Sequence, residues 1–340
     1  MTLQPDRLAA ALAPLPRASL GVWPTPLVPL RRLGEAVGLE VWLKRDECSG
    51  LALGGNKARK LEFVLGDAIA RGAHTLVTAG PLTSNHTMMT SAAARRLGLD
   101  VHVVLGGAAP GASTGNLALT QLYGARVHFT PMNTADPSVE DLAASRRLCE
   151  RLVRDSGGYW IPPGASMPAA VPGYAEAIRE VIAQSGGTFP FDDIVVAYGT
   201  GSTSAGLYAG LVLADVPATV HAIAVSSRAA MDRFDAAPPA SLAQAAIDTF
   251  GWPVTLASTR TKCHWERPMD EPGYGLPTPA AQAALLRMAR EEGYLLDTTY
   301  TAKAAAAMFA MIRDGRIARG ARVLFIHTGG LSTTAAALAH

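Results

Sequence analysis

The stretch Ile194-Val195-Val196-Ala197-Tyr198-Gly199-Thr200-Gly201-Ser202-Thr203-Ser204-Ala205-Gly206-Leu207 decides the fold. Its first four residues form a continuous apolar run, the pattern of a strand covered on both faces; a half-exposed strand would alternate. A turn of small residues follows, and then a helical pattern over residues 204–213. Strand, glycine-rich turn and helix together make the unit of a parallel sheet with helical crossovers. Small residues let backbone N–H groups close around an anion, the hydroxyls add donors, and the helix adds the positive end of its dipole. A phosphate cup is the specific reading of this turn, and a Ser/Thr-capped tight turn is the plain one. A dinucleotide site fails on spacing, because Ser204 stands where the third glycine of G-x-G-x-x-G belongs.

The same alternation runs outward in both directions. Strands are expected at residues 76–79, 101–105, 127–129, 159–161, 194–197, 220–225 and 323–327. Helices are expected at 60–70, 86–97, 115–122, 139–155, 173–185, 204–213, 279–292 and 302–314. This predicts an α/β protein with open, twisted, mostly parallel sheets flanked by helices. Residues 226–272, with the cluster 236–239, are less regular and read as a connection around the site.

With 340 residues, 49% hydrophobic and 17% charged, the chain can bury a large core. A net charge of +2 gives no electrostatic reason to expect nucleic acid or an anionic membrane as partner. Cys48, Cys149 and Cys263 are odd in number and lack a C-x-x-C pair, which fits a reducing, cytoplasmic setting. No signal-peptide pattern is read at the N-terminus, and no apolar run reaches the roughly 18 residues of a membrane span. The eight histidines show no H-E-x-x-H, so no catalytic metal is expected.

Three further stretches carry chemistry. In Gly54-Gly55-Asn56-Lys57-Ala58-Arg59-Lys60-Leu61-Glu62, Lys57 sits between a Gly-Gly turn and an amphipathic helix. The positive end of a helix dipole disfavours an ammonium, and a lysine must lose its proton to attack a carbonyl. Lys57 is therefore a candidate Schiff-base lysine, with a solvated lysine as the plain reading. Ser84-Asn85-His86 follows a strand; it suits a helix cap, and equally a seat for a carboxylate or a cofactor oxygen. Tyr274, Tyr300 and His327 fall at element boundaries, where tyrosines usually pack half-buried with a wet hydroxyl.

Taken in this order, the segments resemble the pyridoxal-phosphate enzymes of fold type II, the tryptophan-synthase-β-like group. Within it they resemble the 1-aminocyclopropane-1-carboxylate (ACC) deaminase / D-cysteine desulfhydrase family. The matching pieces are residues 41–47, 53–62, 79–86, 115–129, 161–174, 199–207, 272–279, 295–304 and 325–330. The resemblance implies two domains, residues 60–168 and residues 1–59 with 169–340, with pyridoxal 5'-phosphate between them. It implies that Lys57 carries the cofactor and moves the Cα proton, and that Asn85 meets the pyridine 3-oxygen. Ser84 would contact the substrate carboxylate and assist proton transfer, and Asn85, His86 and Tyr274 would bind the substrate with it. Gly199, Thr200, Gly201, Ser202 and Thr203 would form the phosphate cup, and Lys60 would reach the same phosphate. Tyr274 and Tyr300 would face the substrate. A homodimer acting on a small amino acid is the implied assembly.

Two threonines bear on the reaction. ACC deaminases carry a glutamate at the position of Thr301, beside the pyridine nitrogen, and a leucine at that of Thr328. A hydroxyl supports a pyridinium less than a carboxylate does. The weaker electron sink still serves α,β-elimination when the β-substituent leaves as thiolate, sulfite or chloride. The resemblance thus implies a desulfhydrase-like lyase giving a 2-oxo acid and ammonia. ACC-type ring opening, a cysteate sulfo-lyase, a specialised biosynthetic enzyme and a non-catalytic pyridoxal-phosphate carrier are the alternatives. The chain departs from the family at Thr83-Ser84-Asn85-His86-Thr87-Met88-Met89-Thr90, at Ala165, and at Gly329-Gly330-Leu331-Ser332-Thr333-Thr334. Met88 and Met89 suit either a more apolar pocket or the helix core.

Overall fold

The computed structural model describes residues 4–133, 137–226, 238–258, 260–266, 273–331 and 334. Among the described residues, ten strands fall into two sheets. Strands β1 (Leu27–Pro29), β2 (Glu40–Arg45), β7 (Asp193–Tyr198), β8 (Thr219–Ala224), β9 (Lys262–Glu266) and β10 (Arg322–His327) form a sheet in the order β1-β2-β10-β7-β8-β9. Strands β3 (Thr75–Pro81), β4 (Asp100–Gly106), β5 (Arg126–Thr130) and β6 (Tyr159–Ile161) form the other, in the order β5-β4-β3-β6. Every pairing is parallel except β1 with β2.

The helices are α1 (Pro5–Leu12), α2 (Arg31–Val37), α3 (Lys57–Ala70), α4 (Asn85–Arg96), α5 (Gly115–Leu122), α6 (Val139–Ser156), α7 (Pro172–Gln184), α8 (Ser202–Leu213), α9 (Pro239–Phe250), α10 (Pro279–Glu292) and α11 (Thr301–Arg313). They cover both faces of the six-stranded sheet. Ile194, Val196, Leu324 and Ile326 pack against α1, α7, α8 and α9. The alternate residues Val195, Ala197, Val323 and Phe325 pack against α2, α10 and α11. This two-sided burial explains the uninterrupted apolar runs. Each valine, leucine, isoleucine or phenylalanine among them contributes about 1.5–3 kcal/mol when fully buried. In the four-stranded sheet, Val101, Val103 and Leu105 meet α3, α4 and α5, while Val77, Ala79 and Val104 meet Cys149 of α6.

The sequence expectations need three corrections. Residues 226–272 are more regular than read: they hold α9 and the edge strand β9, while 227–237 and 267–272 lie outside the described residues. The charged ends of Lys262-Cys263-His264-Trp265-Glu266 hid that strand, in which Lys262 and His264 are exposed and the rest only half-buried. Two helices start earlier than their apolar patterns, α3 at Lys57 and α8 at Ser202. Met88 and Met89 are core residues, each 1% exposed against Leu61, Val64 and Val101, so they do not shape a pocket.

Candidate active site

The carboxyl ends of β3, β7 and β10 converge on one cleft of about 870 Å³. Parallel strands all point their helix-starting turns the same way, so polar turn residues collect there. The cleft is lined by Lys57, Lys60, Ser84, Asn85, His86, Gly199, Thr200, Gly201, Thr203, Tyr274, Tyr300 and Thr328, among others.

Lys57 is the first residue of α3. Two glycines bring it there. At Gly54, φ is +75° and a Cβ would fall 1.8 Å from the Glu47 carbonyl oxygen. At Gly55, φ is +129° and a Cβ would meet the Thr328 carbonyl oxygen at 2.9 Å. The Asn56 backbone N–H also donates to Thr328 O, at 3.0 Å. The start of α3 is thus seated directly on the end of β10. Behind it, Arg59 is clamped between Asp46 and Glu180 by hydrogen bonds of 2.8–2.9 Å. Arg59 and both carboxylates are buried, so the clamp is lightly screened and holds α3 firmly.

Lys57 Nζ donates to Asn56 Oδ1 at 3.2 Å, and Asn56 Nδ2 donates to Thr203 Oγ1 at 3.0 Å. Burial lowers the Lys57 amine to about 8, against the opposing effects of Lys60 and of the Asp297 charge. Lys60 Nζ donates to Ser202 Oγ at 3.0 Å and to Gly164 O at 3.3 Å. Burial holds the Lys60 amine well below its usual value, and the charge of Lys57 pushes it the same way. Among the described residues, neither lysine has a carboxylate within ion-pair distance. No side chain caps α8, whose first turn follows Gly201. The half-buried Lys57 amine, the buried Lys60 amine, an uncapped helix start and the hydroxyls of Thr200, Ser202 and Thr203 gather donors and positive potential with no carboxylate in contact among the described residues. A phosphate dianion fits that deficit.

On the opposite wall, Ser84 caps α4, its Oγ accepting from the N–H groups of His86 and Thr87 at 3.2 and 3.3 Å. Its own proton remains to be donated. Asn85 Oδ1 accepts from Asn116 Nδ2 at 2.7 Å. His86 lines the cleft without offering it a nitrogen. Thr78 Oγ1 donates to Ile161 O, so it must accept from His86 Nε2, at 2.9 Å. The other ring nitrogen meets Thr90 Oγ1 at 3.5 Å. Burial, with the charges of Lys57 and Lys60, keeps this ring neutral. The substrate-binding role expected of His86 therefore reduces to a wall of fixed shape.

Tyr274 and Tyr300 form the third wall. Thr328 reaches the cleft, but Thr301 does not line it. The Thr301 hydroxyl is buried and donates to Asp297 Oδ1 at 2.7 Å while accepting from the Asp297 backbone N–H at 2.7 Å. Asp297 also takes the N–H groups of Thr299, Tyr300 and Thr301, and so pins the turn that carries Tyr300. Sequence reasoning gave no role to Asn56, Asn116 or Asp297, though all three fall within the pieces that carry the resemblance. Asn56 had a signal, its place immediately before Lys57; the other two are brought in only by the fold.

An open parallel α/β architecture with a half-buried lysine of lowered basicity and a phosphate-shaped cup on one cleft defines a pyridoxal-phosphate-type site. The family model described as pyridoxal-phosphate dependent enzyme matches residues 18–329. The chain is 36% identical to a D-cysteine desulfhydrase of Klebsiella pneumoniae over 326 residues, 94% of this chain and 95% of that one. It is 36% identical to the D-cysteine desulfhydrase of Yersinia pestis over 336 residues, 97% of each. A crystal structure of an ACC deaminase homologue superimposes with a TM-score of 0.79 at 35% identity, over 96% of both chains. The chain belongs to the pyridoxal-phosphate-dependent enzymes, in the group that contains ACC deaminase and D-cysteine desulfhydrase. Among the described residues, no helix is long and apolar enough to cross a membrane.

Proposed function

We propose that the protein is a lyase that performs α,β-elimination on a small β-substituted amino acid of the D-cysteine type, giving a 2-oxo acid, ammonia and the leaving group. The observation that carries this reading is the lysine of lowered basicity facing a pair of protonated tyrosines across one cleft. When bound, pyridoxal phosphate supplies an electron-withdrawing ring conjugated to the substrate's amino group. Lys57 would hold it covalently, Lys60 and residues 199–203 its phosphate, and Asn85 its ring oxygen.

The remaining work falls to side chains. An amine near 8 is partly unprotonated at neutral pH, so Lys57 Nζ takes the Cα proton. Ser84 Oγ, with its lone pairs turned to α4, donates to the substrate carboxylate. The tyrosines stay protonated and donate towards the departing β-substituent. Thr301 leaves no carboxylate at the position where ACC deaminases carry glutamate, and its hydroxyl is committed to Asp297. That favours a good leaving group over ring opening. Two domains, residues 60–168 and residues 1–59 with 169–340, are supported by the separation of the strands: β3–β6 all fall in the first range and the others in the second. The proposed homodimer is checked by sedimentation.

A screen of D- and L-β-substituted alanines for 2-oxo acid and ammonia release tests the reaction. We expect D-cysteine or a close analogue to be turned over and ACC to be poor. Preference for ACC would overturn this reading. The purified protein should be yellow, and Lys57→Ala should shift or remove its long-wavelength band.

A further inference from the structure

We propose that Asn116 is a positioning residue that fixes the polarity of Asn85, so that an amide N–H, not a carbonyl, faces the cofactor's ring oxygen. This rests on the assignment of Asn85 to that oxygen. One atom in this cluster has a fixed character. The backbone carbonyl of Thr83 can only accept, and it lies 2.8 Å from the side-chain amide of Asn116. The atom facing it must be Nδ2. The second hydrogen of that nitrogen meets Asn85 at 2.7 Å, so the Asn85 atom there must be Oδ1. With its oxygen turned to Asn116, Asn85 places its amide nitrogen on the other arm of the same plane, towards the cleft that it lines.

The arrangement has a cost that stability alone does not explain. Asn116 is 3% exposed, and its Oδ1 is buried with no hydrogen-bond partner among the described residues. An orphaned buried acceptor is destabilising and calls for a reason. A leucine here would bury no such atom. What it would lose is the donor that holds Asn85 one way round. The ring oxygen of the cofactor carries negative charge, and a reversed Asn85 would set oxygen against oxygen. Asn116 lies in the first turn of α5, which packs on α4, and its own carbonyl is tied to Thr120 Oγ1 at 2.7 Å. The relay Thr83, Asn116, Asn85 therefore spans the start of α4 and the helix beside it. The backbone sets the polarity of a side chain two links away.

The test is a double-mutant cycle read by cofactor binding, with no turnover involved. Apoprotein is titrated with pyridoxal phosphate and the dissociation constant taken from the absorption change, for wild type, Asn116→Ala, Asn116→Asp, Asn85→Ala and the two double variants. Asn116→Asp is isosteric and has no proton to give, so it keeps the inference testable if Asn116→Ala folds poorly. Asn116→Ala should weaken binding about tenfold, the scale of one hydrogen bond to a charged group. Asn116→Asp should weaken it at least as much. In the Asn85→Ala background neither change should matter further. Additive losses, or single variants that bind like wild type, would overturn the inference. If Lys57→Ala binds and absorbs like wild type, the cofactor reading itself fails, a separate outcome.

Discussion

The phenol oxygens of Tyr274 and Tyr300 lie 2.6 Å apart, with their rings edge-on at 5.9 Å between centroids. Burial raises both groups, Tyr274 to about 12 and Tyr300 well above its ordinary value. At neutral pH the pair can give a proton but cannot take one. Tyr274→Phe and Tyr300→Phe should each lower kcat by about 100-fold, within the usual range for general acid–base groups. The double variant should fall little below the weaker single, because one hydroxyl orients the other. Steady-state 2-oxo acid release measures this. Fully multiplicative losses would mean that the two act separately.

Lys57 sets the pH dependence. Its amine, lowered to about 8, takes a proton only when uncharged. Below that value kcat should fall about tenfold per pH unit, and it should level off above it. On the role proposed for Lys57 the limb would fall in kcat, because its amine would be free to take a proton only with substrate bound. A profile flat from pH 6 to 9 would assign the Cα proton to another group.

Thr301 acts on the fold before it acts on chemistry. Thr301→Val removes the donor to Asp297 Oδ1 and the acceptor for the Asp297 N–H, both buried. Chemical denaturation should show a loss of about 2–4 kcal/mol. Lost turnover at unchanged stability would instead return Thr301 to the reacting centre.

Gly54 and Gly72 make a matched pair, each with φ at +75°. An added Cβ at Gly72 meets nothing within 4 Å, whereas at Gly54 it collides with a carbonyl. Gly72→Ala should cost about 1 kcal/mol from backbone strain alone. Gly54→Ala should cost at least twice that and also weaken cofactor uptake, since the collision pushes on the turn that presents Lys57.

Much of the scaffold was legible because two-sided burial writes itself as plain apolar runs, as in residues 194–197 and 323–327. The edge strand β9 was not, because an edge with exposed and half-buried positions admits lysine, histidine and glutamate. In the site, Lys57, Ser84 and the 199–203 turn announced themselves by local chemistry. Asn116 and Asp297 did not. An ordinary asparagine in a helical first turn and an ordinary aspartate before Thr298-Thr299 acquire their roles from side chains that the fold delivers. His86 illustrates the converse: it stood in a site motif, yet Thr78, on a strand residue that sequence alone left unassigned to it, takes its donor nitrogen.

The central place of β10 has a bearing on biogenesis. This strand lies between β2 and β7, and its end is the surface on which the Gly55 turn and Asn56 rest. It is also the last of the described strands to leave the ribosome. Until it inserts, β2 and β7 have no partner in the middle of the sheet, and the lysine has no seat. A nascent chain that has already made its lysine helix, its serine-capped helix and its glycine turn still has no working pocket. Loading with cofactor then becomes a late event, and it reports that synthesis has reached the closing strand.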